Sequence, residues 1–522
     1  MSTEKRSIRK SIKKINSFIF SRTFVILLLL LLQSLFLILF FDKMHNGILS
    51  YGTTLCLTVV TYIVIINRQG KNSYKLAALF PIMLFPVLGI LLYIFLEFQV
   101  EPRLINEKID YLDQNVIGYE KQDPAIFEKL TAESPETANL SRYLYDNSHF
   151  PVYQNTSIRY FSCGEDMFQP FLECLENAEK FIFMEYFAFS EGMMWNAILD
   201  ILKRKAAEGV EIRFLYDGTC AFNVPYNYFR KLQSYGIQSR VFNQIRPVLS
   251  IVQNNRDHRK ITVIDGYIAF TGGINLEDAY INAEVRYGYW KDTVILLKGD
   301  AVKSFTSMFL QNWNLGVKKP ESGYTKYFPN RNCDYVPESS AGYVIPYCDS
   351  PLDDNYVGES VYIDLLYNAK KYVHIMTPYL IIDSEMITAL TYAARRGIDV
   401  EIIMPGIPDK SYAFAVAKTF YSELLKAGVR IFQFKPGFLH AKSFSVDDEK
   451  AVVGTINLDY RSLYLHFECA AFFCKMDTVM DVEKDFQQTL LHCREITPEI
   501  CRQEKWTTKV YGRLLRMIAP LM

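Results

Sequence analysis

His258-Arg-Lys260-Ile-Thr-Val-Ile-Asp265 is followed by Gly272-Gly273-Ile274-Asn275-Leu276, and the arrangement returns later in the chain. The second copy reads His440-Ala-Lys442-Ser-Phe-Ser-Val-Asp447, then Gly454-Thr455-Ile456-Asn457-Leu458. Matched positions keep one constant offset, with no gap. His, Lys, Asp, Gly and Asn survive in both copies, whereas the apolar residues between them mostly change. A repeat kept for packing alone holds its core and varies its polar surface. This repeat holds its polar groups, so it is half a site made twice.

The chemistry follows from the residue types. Ile261 to Ile264 is a β-branched run, matched by Phe444 and Val446, and predicts a strand. Alternation along a strand sends the His and Lys of His-x-Lys to one face. Two such strands side by side supply two imidazoles and two ammonium groups around one point. A phosphodiester needs that set: cations for its oxygens, a nucleophile, and a proton donor for the leaving oxygen. Asn275, Asn457 and Thr455 are further candidate donors to the phosphate. A metal centre is not expected, because neither a His-Glu-x-x-His nor a Cys-x-x-Cys spacing occurs.

With these motifs, and with Trp290-Lys291-Asp292-Thr293 after the first copy and Asp459-Tyr460-Arg461-Ser462 and Phe467-Glu468 after the second, the chain resembles the phospholipase D superfamily. The flanks resemble its bacterial cardiolipin synthase branch, as does Pro86-Val-Leu-Gly89-Ile-Leu-Leu-Tyr93. Two positions depart from that pattern: Thr455, where Ser is usual, and His466, where Asn is usual. The resemblance implies two phospholipase D-type α/β sandwich units sharing one active site. Its candidate residues are His258, Lys260, Asp265, His440, Lys442 and Asp447, supported by Asn275, Thr455, Asn457, Asp292 and Glu468. It also implies roles: His258 as nucleophile oriented by Glu468, and His440 as general acid oriented by Asp292. Asp265 and Asp447 would hold the motif loops. The implied activity is phosphatidyl transfer between two phosphatidylglycerol molecules, giving cardiolipin and glycerol without cofactor or metal. A phospholipase D-type hydrolase, or a transferase using another headgroup alcohol, uses the same residues.

The remaining sequence is read in order. Lys and Arg number 57 against 57 Asp and Glu, a net charge of zero that counts against a nucleic-acid binder. Residues 1–23 are a basic tail. Three apolar runs follow at about 24–41, 48–66 and 76–96, each near bilayer-spanning length, and predict a multi-pass protein of the cell membrane. Residues 99–145 read as a connector. From 146 to 330 and from 331 to 522, apolar runs alternate with amphipathic ones as two α/β halves. Pro320, Gly323, Pro329, Asn330 and Pro337 cluster at their boundary. In each half a strand, a helix closed by Gly209 or Gly397, and another strand follow one another. Glu185 lies in an apolar run as a candidate headgroup contact, and His374 reads as a core histidine. The basic and then apolar stretch 509–522 suits either a lipid surface or packing on the domain.

Overall fold

The computed structural model describes residues 47–97, 105, 107–109, 111–112, 119–245, 251–317, 319–321, 323–329, 341–353 and 355–521. They fall into two compact units. One gathers the described residues of Met1–Leu104, Ile245–Asn255 and Met517–Met522, and the other those of Ile105–Gln244 and Arg256–Arg516.

The first unit corrects the membrane reading. Among the described residues no helix is long and apolar enough to cross a membrane. The run expected at 76–96 is broken: the helix Asn72–Leu84 ends at Phe85, and Pro86 opens a new one to Glu97. At about 1.5 Å per residue these 13- and 12-residue helices rise about 20 Å each, against the roughly 30 Å of a hydrocarbon core. Gly89 lets the two pack, since a Cβ there would meet Ile82 Cα at 2.5 Å. In Gly47–Asn67, threonines punctuate the apolar run, and Thr58 and Thr61 turn their hydroxyls onto their own helix's carbonyls. The expected multi-pass architecture and cell-membrane location are therefore not upheld. The basic tail 1–23, the run 24–41 and residues 330–340 of the expected boundary lie outside the described residues.

The second unit carries the repeat. Its first seven-stranded sheet has the order β1-β9-β7-β6-β2-β3-β4. These strands are β1 (Thr156–Phe161), β2 (Phe181–Tyr186), β3 (Glu211–Asp217), β4 (Gln238–Phe242), β6 (Lys260–Ile264), β7 (Ile268–Gly272) and β9 (Val294–Gly299). The second sheet runs β10-β19-β17-β16-β11-β13-β14-β20. Its members are β10 (Tyr343–Asp349), β11 (Tyr372–Met376), β13 (Asp399–Pro405), β14 (Arg430–Phe434), β16 (Ser443–Val446), β17 (Lys450–Gly454), β19 (His466–Cys474) and β20 (Cys493–Ile496). Position by position the second order repeats the first, with β20 added at one edge. In both, the strand after the His-x-Lys motif pairs antiparallel with the strand that opens the parallel part, β6 with β2 and β16 with β11.

The sheets face one another across one core. Val263, Ala269 and Leu297 of the first share a buried cluster with Ala451, Val453 and Phe473 of the second. Burying that apolar area holds the halves together at about 25 cal/mol per Å². The helices Met193–Ala207 and Ser384–Arg395 close at Gly209 and Gly397, both at positive φ. The stretch read as a connector contains the helices Pro124–Glu133 and Pro135–Ser148, the first capped by Asp123.

Two short pairings cross between the halves. β5 (Arg256–Asp257) runs parallel to the start of β19, and β8 (Tyr289–Lys291) runs parallel to β15 (Gly437–Leu439). The first leads into His258 and the second into His440. His258 is therefore not on the strand with Lys260, as alternation alone predicted, but in the corner between β5 and β6.

The motif aspartates sit at the far ends of their strands. Asp265 accepts backbone N–H bonds from Glu179, Lys180 and Phe181 at 2.7–2.9 Å. Asp447 does the same for Lys370, Lys371 and Tyr372, also at 2.7–2.9 Å. Both have positive φ, at 54° and 57°. Each carboxylate thus starts the neighbouring strand, about 17 Å from the lysine at the other end of its own. Asp265→Asn and Asp447→Asn replace a charged acceptor by an amide whose NH₂ meets backbone donors. Each substitution is expected to lower the unfolding free energy by about 1–3 kcal/mol. Urea unfolding followed by fluorescence checks this; an unchanged midpoint in both variants would refute it.

Candidate active site

The two crossed pairings bring the motifs together and give each histidine an acid from the other half. His258 N–H donates to Phe467 O at 2.9 Å, which sets Glu468 beside the ring. His258 Nδ1 then meets Glu468 Oε1 at 2.8 Å. In the mirror arrangement His440 N–H donates to Lys291 O at 2.6 Å, and His440 Nδ1 meets Asp292 Oδ2 at 2.6 Å. Both rings use Nδ1 on an acid, so Nε2 is the reactive nitrogen of each. Lys260 and Lys442 are buried and turn their ammonium groups onto the carbonyls of His258 and His440. All six groups are less than a tenth exposed.

The small motif residues fit the two acids differently. Gly273 leaves room for Asp292, since a Cβ there would lie 1.9 Å from its Oδ1. Thr455, its counterpart, donates its hydroxyl to Glu468 Oε2 and accepts from Cys469 N at 3.0 Å. Thr455 is thus engaged with the acid rather than free for phosphate. Asn275 is engaged too: its oxygen accepts from Ala188 N at 3.0 Å, and its NH₂ donates to Tyr280 at 2.7 Å. Asn457 Oδ1 is buried with no hydrogen-bond partner.

Burial controls the protonation of the site. The His258 imidazole is pushed well below its usual range, first by burial and then by the charge of Lys260. His440 is lowered less, to about 4; burial and Lys442 lower it, while Asp292 pulls the other way. Burial raises the Glu468 carboxyl to about 8, with Lys260 opposing. Burial would raise Asp292 as well, but Lys442 and His440 more than offset it and hold that carboxyl below its usual value. The two acids are thus pushed in opposite directions, Asp292 toward its ionised form and Glu468 toward its neutral one. Lys260 and Lys442 are lowered by burial to about 8 and about 7. An arriving phosphate anion strengthens the charged forms of both lysines.

Two residues enter that the motif spacing did not identify as site members. Phe187 lies edge-on to His258 with ring centroids 4.9 Å apart, and Lys260 sits over it at 5.3 Å. His466 lies 5.6 Å from His258, centroid to centroid, and neither of its ring nitrogens has a hydrogen-bond partner among the described residues. His258, His466 and Glu468 each bring a ligand atom within 4.8 Å of the other two, a set that could hold a metal ion. Parallel pairing of β5 with β19 creates that cluster, so no sequence spacing could have shown it. Glu185 is fully buried and accepts from Asn312 at 2.8 Å. His374 binds Glu483 through Nδ1 at 2.9 Å, a structural pair.

Comparison with known proteins agrees with this geometry. A family model described as cardiolipin synthase, PLD-like domain, matches residues 171–313 and 362–490. An uncharacterized protein of Streptococcus mutans is 48% identical over 88% of this chain and 98% of its own. A cardiolipin synthase of Geobacillus kaustophilus is 31% identical over 90% of this chain and 92% of its own. Among solved structures, a phosphatidylserine synthase of Haemophilus influenzae superposes with a TM-score of 0.54 at 18% identity, covering 73% of this chain and all of that one, a likeness of fold. Two His-x-Lys half-sites crossed onto each other's acids, in a chain matched along most of its length, belong to an enzyme of the cardiolipin synthase, phospholipase D-like family.

Proposed function

We propose that this phosphatidyltransferase makes cardiolipin from two molecules of phosphatidylglycerol by double displacement through His258. What supports the assignment of roles is the crossed pairing of each imidazole with an acid of the other half, together with the opposite push on those acids, Glu468 up by burial and Asp292 down as Lys442 and His440 outweigh burial. Asp292 draws His440 toward the imidazolium against burial and Lys442, which hold the free ring at about 4, and an arriving phosphate anion adds to that pull, as a general acid requires. Glu468 accepts the Nδ1–H of His258, which leaves the lone pair on Nε2, and burial with the charge of Lys260 keeps that ring neutral. Pairs of like groups pushed apart in this way divide into acid and nucleophile.

In the first step His258 Nε2 attacks phosphorus and the bond to the glycerol headgroup oxygen breaks. His440 gives its proton to that oxygen, and glycerol leaves. Lys260 and Lys442 neutralise the phosphoryl oxygens, which gain charge in the transition state. In the second step the headgroup hydroxyl of another phosphatidylglycerol loses its proton to His440 and attacks phosphorus, and His258 is released. The apolar rings around the site, Phe187 beside His258 and Trp290 and Phe438 beside His440, limit competing water. The cardiolipin synthases among the relatives support phosphatidylglycerol as both donor and acceptor.

Purified enzyme given phosphatidylglycerol labelled in its headgroup glycerol should release labelled glycerol and form cardiolipin. Phosphatidic acid in place of cardiolipin would identify a hydrolase. His258→Ala and His440→Ala should each lose at least about a thousandfold in kcat, because the imidazoles hold different roles. An alkali-quenched reaction of His440→Asn should retain a phosphatidyl group on His258. Label found on His440 instead would reverse the roles.

The lysines set a pH dependence. With values lowered to about 8 and about 7, Lys260 and Lys442 lose charge in the free enzyme as pH rises past neutrality. Phosphodiester capture needs them charged, and kcat/KM reports the free enzyme. It should therefore be highest on the acid side of neutrality and fall at least about threefold between pH 7 and pH 8.5. Lys442→Arg, charged throughout, should flatten that fall whatever its absolute rate. A profile that rises over this range would refute the account.

A further inference from the structure

We propose that His258, His466 and Glu468 form a binding site for a borderline divalent metal ion such as Zn²⁺, and that its occupancy shuts the enzyme off.

Two independent observations point to a ligand. The three residues bring one ligand atom each within 4.8 Å of the others, and all three are buried. His466, only 7% exposed, also carries two ring nitrogens with no hydrogen-bond partner. A buried polar group without a partner is costly, and an ion that accepts its lone pair removes that cost. A triangle with sides of 4.8 Å has its centre about 2.8 Å from each corner, and Zn–N and Zn–O bonds are about 2.0–2.2 Å. Side-chain movements of less than about 1 Å therefore close the site.

The donor set selects the ion. Two imidazoles and one carboxylate suit Zn²⁺, Co²⁺ or Ni²⁺; Mg²⁺ and Ca²⁺ take oxygen ligands and keep their water. The neighbouring ammonium group of Lys260, held on His258 O at 2.6 Å, opposes any cation. Ions with strong bonds to nitrogen overcome that repulsion better than weakly bonding ones. Two of the three ligands are the proposed nucleophile and the acid that orients it. An ion on Nε2 takes the lone pair that attacks phosphorus, and an ion on Nδ1 leaves the ring proton on Nε2, so a bound metal and productive phospholipid exclude one another. His466 supplies the third donor without a place in the proposed displacement steps.

The test uses purified full-length chain stripped with chelator, and Zn²⁺ and Co²⁺ alone as probes. Lipid-free titration should show one Zn²⁺ per chain at micromolar affinity, and Co²⁺ should develop visible d–d absorption. His466→Asn and His466→Gln should each weaken binding at least tenfold, and so should Glu468→Gln. In the assay, Zn²⁺ should inhibit the wild type competitively with phospholipid and reversibly on chelation. Mg²⁺ should have no such effect, and the His466 variants should need at least tenfold more Zn²⁺. Two variants at position 466 guard against misfolding of one. The inhibition arm rests on the proposed transfer reaction, whereas the Co²⁺ spectrum does not, so failure of one reading is separable from failure of the other. Absence of Co²⁺ or Zn²⁺ binding by the wild type, or unchanged binding by both His466 variants, would overturn the proposal.

Discussion

Two backbone hydrogen bonds, His258 N–H to Phe467 O and His440 N–H to Lys291 O, are the constraint on which the site depends. Each ties the corner before one motif lysine to a strand of the opposite half. A strand residue fixes the direction of the one after it. Glu468 and Asp292 directly follow the residues whose carbonyls accept these bonds, so both carboxylates are delivered to the imidazoles by backbone geometry. The common core between the sheets supplies the energy, and the crossed pairings supply the register. The motif aspartates contribute from the other ends of the strands, where they anchor the start of β2 and of β11.

The symmetry is broken where the chemistry needs it. Glycine at 273 lets the shorter acid sit against the backbone, next to Lys442's charge. Threonine at 455 reaches across to the longer one. Burial pushes Glu468 up against the pull of Lys260 and of the Thr455 hydroxyl, whereas Lys442 and His440 outweigh burial at Asp292 and push it down. Duplication alone would have produced two imidazoles of equal character.

Much of this was legible in the residues. Polar identity at constant offset announced a duplicated half-site, and glycines after apolar runs marked the ends of helices near Gly209 and Gly397. The pairing of each histidine with an acid of the other half came from resemblance, because contact across more than a hundred residues leaves no local trace. The position of His258 was misread: alternation along a strand says nothing of a corner that breaks the strand. Thr455 and Asn275 looked like phosphate donors, yet side-chain donors serve whichever acceptor folding brings nearest, here Glu468 and Tyr280. The apolar runs misled in another way. Hydropathy counts residues, and the break at Phe85–Pro86 divides one long run into two short helices.

The crossed acids also bear on the enzyme's life before it is complete. His258 emerges from the ribosome 210 positions ahead of Glu468, and Asp292 precedes His440 by 148. Until the last of these residues has been synthesised and docked, the nascent chain holds a histidine without its acid and an acid without its histidine. A truncated product of a broken message is left in the same condition. The crossed pairs of this enzyme are thereby incomplete until its own synthesis has passed Glu468.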